Sequence, residues 1–189
     1  MSAQDSKLFV ISGPSGAGKG TLVTRVRERR SNLCLTVSAT TRAPRKGEVD
    51  GVNYFFLTRE EFDRRVANGE FVEWAEVHGN CYGTLVSEVT SKLASGSSLI
   101  LEIDVQGALQ VKERFPEAVL IFIKPPSLEV LRERLVGRGT ETPETIELRM
   151  ANAADELALA DRYDDVVVND DLDRATDELV RVLDMHERI

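Results

Sequence analysis

The stretch Gly13-Pro14-Ser15-Gly16-Ala17-Gly18-Lys19 decides the fold of this chain. It follows the apolar run Leu8–Ile11 and precedes a segment with helical spacing, so it predicts a strand, a glycine turn and a helix start in that order. In this context backbone N–H groups and the helix N-terminus attract phosphate, and the lysine adds a mobile cation. We therefore predict a binding site for a nucleoside triphosphate; the alternative is a glycine-rich turn with an incidental lysine.

The residue after the lysine differs from the common pattern. Gly20 stands where a serine or threonine ordinarily contacts Mg²⁺, and the nearest hydroxyl belongs to Thr21. We therefore expect Mg²⁺ to be held by phosphate oxygens and water, with no direct ligand from the loop.

Length and composition limit the classes of protein. At 189 residues the chain fits one domain with small insertions. Cys34 lies in an apolar run and Cys81 in a glycine-flanked loop, and the absence of a pairing or metal spacing predicts a reduced, cytoplasmic protein. The polar segment Met1–Lys7 and the lack of a long apolar stretch predict neither a signal peptide nor a membrane span.

Charge gives a further restriction. The net charge of −8 argues against broad nucleic-acid binding, although the arginines are clustered. We interpret the arginines of the first predicted helix as a solvated face, namely Arg25, Arg27, Arg29 and Arg30.

Five short runs rich in aliphatic and β-branched residues predict buried strands. They are Leu8–Ile11, Leu33–Val37, Leu99–Ile103, Val119–Ile123 and Val166–Val168. Apolar residues at helical spacing alternate with most of these runs, and a long stripe begins near Pro143. Strands that alternate with helices predict an α/β fold with a five-stranded parallel sheet covered on both faces.

Two segments interrupt this alternation. Between Ser38 and about Glu88, two strand-like runs flank a predicted helix at Glu60–Ala67, which indicates a small α+β subdomain. The runs are Tyr54–Leu57 and Phe71–Ala75. The second segment, Val136–Thr142, is polar and bears glycine, so we expect a mobile flap.

The larger insertion carries two arginines three residues apart. Arg42 and Arg45 lie in a segment stiffened by Pro44, and planar guanidinium groups fit phosphate oxygens in pairs. The pair is suited to a second phosphate opposite the first. A solvated basic loop is the alternative.

Seven separated motifs, which cover nearly the whole chain in order, resemble those of guanylate kinase, a nucleoside monophosphate kinase of the P-loop superfamily. Besides the phosphate loop they are Ser38–Glu48, Glu73–Ala75, Gly79–Gly83, Ile103–Gly107, Gly137–Glu141 and Val168–Asp171. The resemblance implies a three-layer P-loop NTPase-type fold. Its core would comprise 1–37, 89–134 and 150–189, with a GMP-binding subdomain at 38–88 and a lid at 135–149.

The resemblance also implies site residues. On the ATP side they are Gly13, Pro14, Ser15, Gly16, Ala17, Gly18, Lys19, Gly20, Thr21, Arg134, Arg138 and Asn169. On the GMP side they are Ser38, Arg42, Arg45, Glu48, Tyr54, Glu73, Tyr82, Gly83, Thr84, Glu102, Asp104 and Arg149. Catalytic roles fall on Lys19, Arg42, Asp104, Arg138 and Arg149. Mg²⁺ accompanies ATP, with Asp104 as a candidate for its outer shell.

The acceptor phosphate would be held by two arginines and two tyrosines. Guanidinium forks and phenol donors suit a dianionic phosphate that must be held still while it attacks. The residues that match the family here are Arg42, Arg45, Tyr54 and Tyr82. For the tyrosines, a place as half-buried core aromatics is the alternative.

The guanine base would be recognised by Ser38 and Glu73. A carboxylate accepts from both the ring N–H and the amino group of guanine, whereas adenine presents an acceptor at the ring position and leaves the carboxylate badly paired. The alternative for Glu73 is an exposed strand residue.

Glu102 and Asp104 follow a predicted strand at the sheet edge where open α/β folds bind ligands. Some relatives carry aspartate where Glu102 stands, and Asp104 has the alternative role of a helix cap. The lid arginines Arg134, Arg138 and Arg149 would neutralise the moving phosphoryl group and exclude water. For Arg134 and Arg149 the alternative is an exposed ion-paired helix face. Asn169 and Asp170 resemble the family's adenine-side loop, but an Asn-Asp-Asp turn before a helix also fits ordinary capping.

These features predict a kinase that transfers the γ-phosphoryl group of ATP to GMP and dGMP, giving ADP and GDP, in purine nucleotide metabolism and GMP recycling. Two other functions stay open: a kinase for AMP or dTMP, and a guanylate-kinase-like binding module without catalysis. The intact glycines and Lys19 of the phosphate loop favour an enzyme. We expect no nucleic-acid or membrane partner, and a homo-oligomer stays open.

Overall fold

The computed structural model describes residues 6–77, 79–137, 139 and 142–187. The described strands are β1 Leu8–Ser12, β2 Leu33–Leu35, β3 Ala39–Thr40, β4 Phe55–Phe56, β5 Phe71–Val77, β6 Asn80–Leu85, β7 Ser98–Glu102, β8 Val119–Lys124 and β9 Asp165–Val168. The helices are α1 Lys19–Arg29, α2 Arg59–Ala67, α3 Val86–Ala94, α4 Val105–Arg114, α5 Leu128–Gly137, α6 Pro143–Leu157 and α7 Leu172–Glu187, with a 3₁₀ turn at Ala160–Arg162. None of the described helices is long and apolar enough to cross a bilayer.

The main sheet has the order β2-β7-β1-β8-β9, and its neighbouring strands all run parallel. Helices cover both faces because alternate strand residues point to opposite sides. Phe9 and Ile11 join the core that contains α1 and α7, whereas Leu8 and Val10 join the core that contains α3 and α4. The predicted five-stranded α/β fold is thus confirmed.

A second sheet, in the order β4-β3-β6-β5, forms within the insertion. It has its own small core, in which Phe62 of α2 stacks on Phe71 of β5 with ring centroids 4.3 Å apart. β5 also contributes Val72 to the main core, so the strand contacts both units. This shared strand fixes the insertion against the carboxyl edge of the main sheet.

The sequence prediction of these elements was incomplete. Cys81, expected in a loop, is buried in β6, because that segment pairs antiparallel with β5 from Val77 and Asn80 onward. Helix α3 was not predicted. The run predicted to extend to Val37 ends at Leu35, and the N–H of Val37 instead donates to the Glu88 carboxylate (2.9 Å).

The arginines of α1 are not simply a solvated face. The Arg30 side chain is only 11% exposed and forms ion pairs with Asp184 (2.8 Å) and with the almost fully buried Glu187. Arg25 and Arg29 are more exposed and also contact acidic residues of α7. The charge cluster therefore attaches α7 to α1, a role that depends on a helix about 150 residues later in the chain.

Candidate active site

The phosphate loop joins β1 to α1 and takes the conformation that its glycines permit. Gly18 is the N-cap of α1 in the left-handed region, with φ +89°, where a residue with a Cβ is strained. The loop leads into a cavity of about 330 Å³, lined by Ser15, Gly16, Gly18, Lys19, Gly20, Thr21 and Glu102. The N-terminus of α1 faces this cavity and gives it a positive potential suited to phosphate.

Lys19 is the first residue of α1 and lies at the same cavity. Its Nζ donates to the carbonyl oxygens of Gly13 (2.5 Å) and Pro14 (3.1 Å). These bonds fold the side chain back along the loop, so the ammonium group lies where the outer phosphates of a bound triphosphate would be.

Glu102 ends β7 beside the loop. Its carboxylate oxygens lie 3.5 and 3.7 Å from the position that a Cβ on Gly20 would take. Partial burial raises the pKa of Glu102, and the nearby Lys19 ammonium opposes that rise. The missing side chain at position 20 thus leaves room for an acidic oxygen next to the phosphate site.

On the acceptor side, Glu48 organises the arginine loop. Its carboxylate accepts from Arg42 Nη2 (2.9 and 3.1 Å) and from the N–H of Arg45 (2.7 Å). The Arg42 guanidinium also lies 5.4 Å from the ring centroid of Tyr54 and 5.9 Å from that of Phe56. Glu48 therefore contacts both predicted phosphate-binding arginines, and its role in the ligand-free protein is to fix their loop.

Tyr54 and Tyr82 lie together, as the proposed phosphate contact requires. Their ring centroids are 6.3 Å apart in an edge-on arrangement. Both side chains are half-buried, and the Arg42 guanidinium lies over the Tyr54 ring and also interacts with the Tyr82 side chain. The structure thus groups three of the four residues predicted to hold the acceptor phosphate.

Glu73 is buried, with 8% of its surface exposed, so it is not an exposed strand residue. It lies opposite Thr84 of β6, whose hydroxyl is fully buried and faces the Glu73 carboxylate. Burial raises the pKa of Glu73 and the Asp104 carboxylate adds to the rise, whereas hydrogen bonding from Thr84 opposes it. Burial of a carboxylate with so few donors around it is costly, and a ligand with N–H groups would lower that cost.

A β-bulge sets the direction of Glu73. The register between β5 and β6 shifts between Phe71 and Glu73, and Gly83 lies against the bulged strand. A Cβ on Gly83 would lie 2.7 Å from the Glu73 carbonyl oxygen and 2.9 Å from Trp74 Cβ. Only a residue without a side chain permits this approach, so Gly83 acts on the site through the backbone of β5.

Replacing Gly83 with alanine is expected to displace β5 and to lower the free energy of unfolding by about 1–3 kcal/mol. The KM for GMP should rise while the KM for ATP stays unchanged, because the displaced strand carries Glu73 and the phosphate loop lies elsewhere. Thermal unfolding and steady-state kinetics check this. In Gly137→Ala, the added Cβ has nothing within 4 Å, so this control should not be destabilised. An unchanged KM for GMP in Gly83→Ala would contradict the positional role.

Asp104 is the N-cap of α4, and its Oδ1 accepts from the N–H of Gly107 (2.7 Å). The capping role considered for this residue is therefore real. The Cβ position of Gly107 lies 3.4 Å from Glu73 Oε2 and 3.5 Å from Asp104 Oδ1, so both carboxylates meet at the start of α4. Asp104 thus lies between the predicted base pocket and the phosphate loop.

Helices α5 and α6 place two arginines near the donor site. Arg134 Nη2 donates to the Asn169 carbonyl oxygen (2.8 Å), and Arg149 Nη1 donates to Ser15 Oγ in the phosphate loop. These two arginines therefore contact the predicted donor site directly. Arg138 lies outside the described residues, as does much of the predicted flap; α5 continues through Gly137.

The other predicted residues take less central positions. Ser38 is half-buried, and its carbonyl oxygen accepts from the N–H of Phe55 (2.9 Å), so its backbone joins β4 to the site. Thr21 is exposed at the rim of the phosphate cavity. Asn169 is 6% exposed, and its side chain points to the back of the phosphate loop.

Glu156 is a residue that sequence reasoning missed. Burial raises the pKa of this α6 carboxyl, the Lys19 ammonium opposes the rise, and the Asp104 carboxylate adds to it. It therefore faces the same charged site as Lys19 and Asp104. A signal was present, because Glu156 follows Arg149 by seven residues and so shares its helix face.

The chain is similar to known guanylate kinases over nearly its whole length. The family model described as guanylate kinase matches residues 5–186. A curated guanylate kinase of Gloeobacter violaceus is 57% identical over 178 residues, which cover 94% of this chain and 87% of the relative. That of Halalkalibacterium halodurans is 52% identical over 183 residues, or 97% of this chain and 90% of the relative.

A solved structure gives the same answer for the fold. The crystal structure of guanylate kinase from Anaplasma phagocytophilum superposes with a TM-score of 0.74 at 36% identity. The match covers 97% of this chain and 87% of that one. The aligned region therefore includes the main sheet, the insertion and helices α5 and α6.

Proposed function

This chain belongs to the guanylate kinase family, and so it is a nucleoside monophosphate kinase that transfers a phosphoryl group from ATP to GMP. We propose that the phosphate-loop cavity binds ATP. We further propose that GMP binds to the acceptor-side residues, with its base at Glu73 and Thr84 and its phosphate at the Arg42 loop.

One observation supports this assignment: the donor and acceptor sites both adjoin the same short segment of the chain, Glu102–Asp104. Glu102 contacts the phosphate loop at Gly20, and Asp104, two residues later, lies next to Glu73 across Gly107. A nucleotide in each site would therefore bring its phosphates toward the same carboxyl edge of the sheet. Such proximity is what phosphoryl transfer between two bound nucleotides requires.

On the donor side we assign the β- and γ-phosphates to the loop backbone of Gly13–Thr21 and to Lys19. Arg149 contacts Ser15, so it lies within reach of the γ-phosphoryl group. Arg134 and Arg138 would add further positive charge around that group. These cations spread the negative charge of the moving phosphoryl group and exclude water from it.

On the acceptor side, we assign the GMP phosphate to Arg42, Arg45, Tyr54 and Tyr82. The phosphate is already an anion, so in-line attack on the γ-phosphorus of ATP needs no general base. Glu73 would accept from the ring N–H and amino group of guanine, and the buried Thr84 hydroxyl beside it would contact the same base. These contacts fix the direction of the attacking oxygen.

Mg²⁺ fits the residues present, because the donor set around the phosphate cavity is rich in oxygen. Gly20 offers no hydroxyl, so we propose that the ion is held by phosphate oxygens and water, with Asp104 in its outer shell and Glu102 nearby. When bound, Mg²⁺ would neutralise charge on the transferred phosphates.

We further propose a cytoplasmic enzyme that accepts dGMP as well as GMP and serves purine nucleotide metabolism, including GMP recycling. Both cysteines are free thiols, which is consistent with a reducing compartment. Closure of the insertion and of segment 135–149 over both substrates is part of this proposal.

A coupled assay of ADP release with GMP, dGMP, AMP, UMP and dTMP as acceptors tests the assignment of the two sites. We expect turnover with GMP and dGMP and little with the other three. Preferred use of AMP or dTMP would show that the base pocket is assigned wrongly. No turnover with any acceptor would leave a binding module as the function.

A further inference from the structure

Asn169 lies at the end of β9, directly behind the phosphate loop. Its N–H donates to the Lys124 carbonyl oxygen (2.8 Å), which continues the ladder between β8 and β9 by one residue. Only 6% of its surface is exposed. The residue is therefore held rigidly by the main sheet and offers little surface to a nucleotide base.

The Asn169 side chain contacts the loop at two neighbouring residues. Its Nδ2 donates to the carbonyl oxygen of the fully buried Ala17 (2.8 Å). The same nitrogen lies 2.4 Å from the position that a Cβ on Gly18 would take. The amide thus fills the space that the glycine leaves, and it satisfies a buried carbonyl at the point where the loop turns into α1.

The Asn169 backbone contacts a second part of the donor site. Its carbonyl oxygen accepts from Arg134 Nη2 (2.8 Å), while Arg134 Nη1 is buried with no hydrogen-bond partner among the described residues. Asn169 therefore contacts both the loop, through its side chain, and one arm of Arg134, through its backbone carbonyl.

We propose that the Asn169 side chain is a positioning group that sets the conformation of the phosphate loop, so that its effect on ATP binding acts through the phosphates. This inference rests on the proposed assignment of ATP to the loop. It differs from a contact to adenine, because positioning affects every ligand that binds through phosphates, with or without a base.

Asn169→Ala and the nearly isosteric Asn169→Asp test the proposal. Neither side chain can donate to the Ala17 carbonyl, and a lost bond of this kind weakens binding by about tenfold to a hundredfold. The probes are ATP and inorganic tripolyphosphate, which has no base, both titrated by calorimetry. We expect both to weaken by a similar factor in both variants, with KM for ATP raised and KM for GMP unchanged.

The matched control is Asp173→Asn. Asp173 is exposed in the first turn of α7 and pairs with Arg25, so its replacement should leave both titrations unchanged. GMP binding, followed by the fluorescence of Trp74, shows that the variants are folded, because Trp74 is the only tryptophan in the chain and is adjacent to Glu73.

Three results would overturn the proposal. They are weakened ATP binding with unchanged tripolyphosphate binding, unchanged binding of both, and loss of GMP binding together with ATP binding in both variants. The first would show that Asn169 reads the base, and the last that it supports the whole fold. Failure of the proposed function is distinguishable, because it would appear as absent turnover in the unmodified protein.

Discussion

Replacement of Lys19 by methionine should reduce kcat for ADP formation from ATP and GMP by about 10³-fold or more, the loss typical of removing a cation that acts on a transferring phosphoryl group. Methionine keeps the length of the side chain and removes its charge. In the structure the ammonium group bonds to the Gly13 and Pro14 carbonyl oxygens at the mouth of the phosphate cavity. The variant therefore loses a positive charge at the place where negative charge accumulates.

Two comparisons separate this effect from damage to the fold. GMP binding, measured through Trp74 fluorescence, should be unchanged, since Glu73 and Arg42 are remote from the substitution along the chain. Lys7→Met removes the same charge at the opposite end of β1, and its kcat should equal that of the unmodified enzyme. A decrease of less than about tenfold in Lys19→Met would mean that the loop backbone alone neutralises the transferred phosphates.

Replacement of Glu73 by glutamine should reduce kcat/KM for GMP by about 10²–10³-fold, because one carboxylate acceptor becomes a donor that faces the N–H groups of guanine. IMP, which lacks the amino group, should lose less. The low activity with AMP should hardly change. A coupled assay with the three acceptors measures these ratios, and an equal loss for all acceptors would show that Glu73 does not recognise the base.

The stability of this variant provides a control. The ligand-free protein carries a buried Glu73 whose ionisation is disfavoured by burial and by Asp104. Glutamine keeps the shape and removes this charge, so the midpoint of thermal unfolding should not fall. A strongly destabilised variant would make the kinetic loss uninformative about recognition, and Glu73→Asp would then test the same contact by shortening it.

The raised pKa of Glu73 also predicts the pH dependence of GMP use. The folded protein binds a proton at this site more readily than the unfolded chain, so Glu73 favours folding at acidic pH, and this contribution is lost as pH rises through the folded pKa. The protonated carboxyl cannot accept two hydrogen bonds from guanine. We therefore expect kcat/KM for GMP to fall as the pH is lowered, and the fall should begin at a pH above the usual pKa of glutamate. This decrease should be absent in Glu73→Gln.

Local patterns predicted the core of the molecule well. The strand, glycine turn and helix start around Gly13–Lys19 are determined by residues adjacent in the chain, and the aliphatic runs of β1, β7 and β8 are buried on both faces. The prediction of a buried run at Val166–Val168 was wrong for Val166, which is 39% exposed because β9 is an edge strand. The insertion was predicted less completely. β6 contains Gly83 and follows a glycine turn, features typical of a loop, and only pairing with β5 makes it a strand.

The sequence predicted which residues form the candidate site, but it did not predict how they are arranged in space. The acceptor arginines, Glu73 and Asp104 were named from motifs that match a family. The roles of Glu48 as an anchor for Arg42 and of Glu156 beside Lys19 became visible only in the folded chain.

The sequence by itself determined the phosphate loop, the parallel α/β core and the identity of the charged residues, because these depend on backbone geometry and periodicity over short stretches. Only the tertiary structure determined how the side chains of those residues are oriented. The bulge opposite Gly83 directs Glu73, and Asn169 reaches Ala17 across 152 positions of the chain. Contacts of that range depend on how strands and helices pack, which no local pattern encodes.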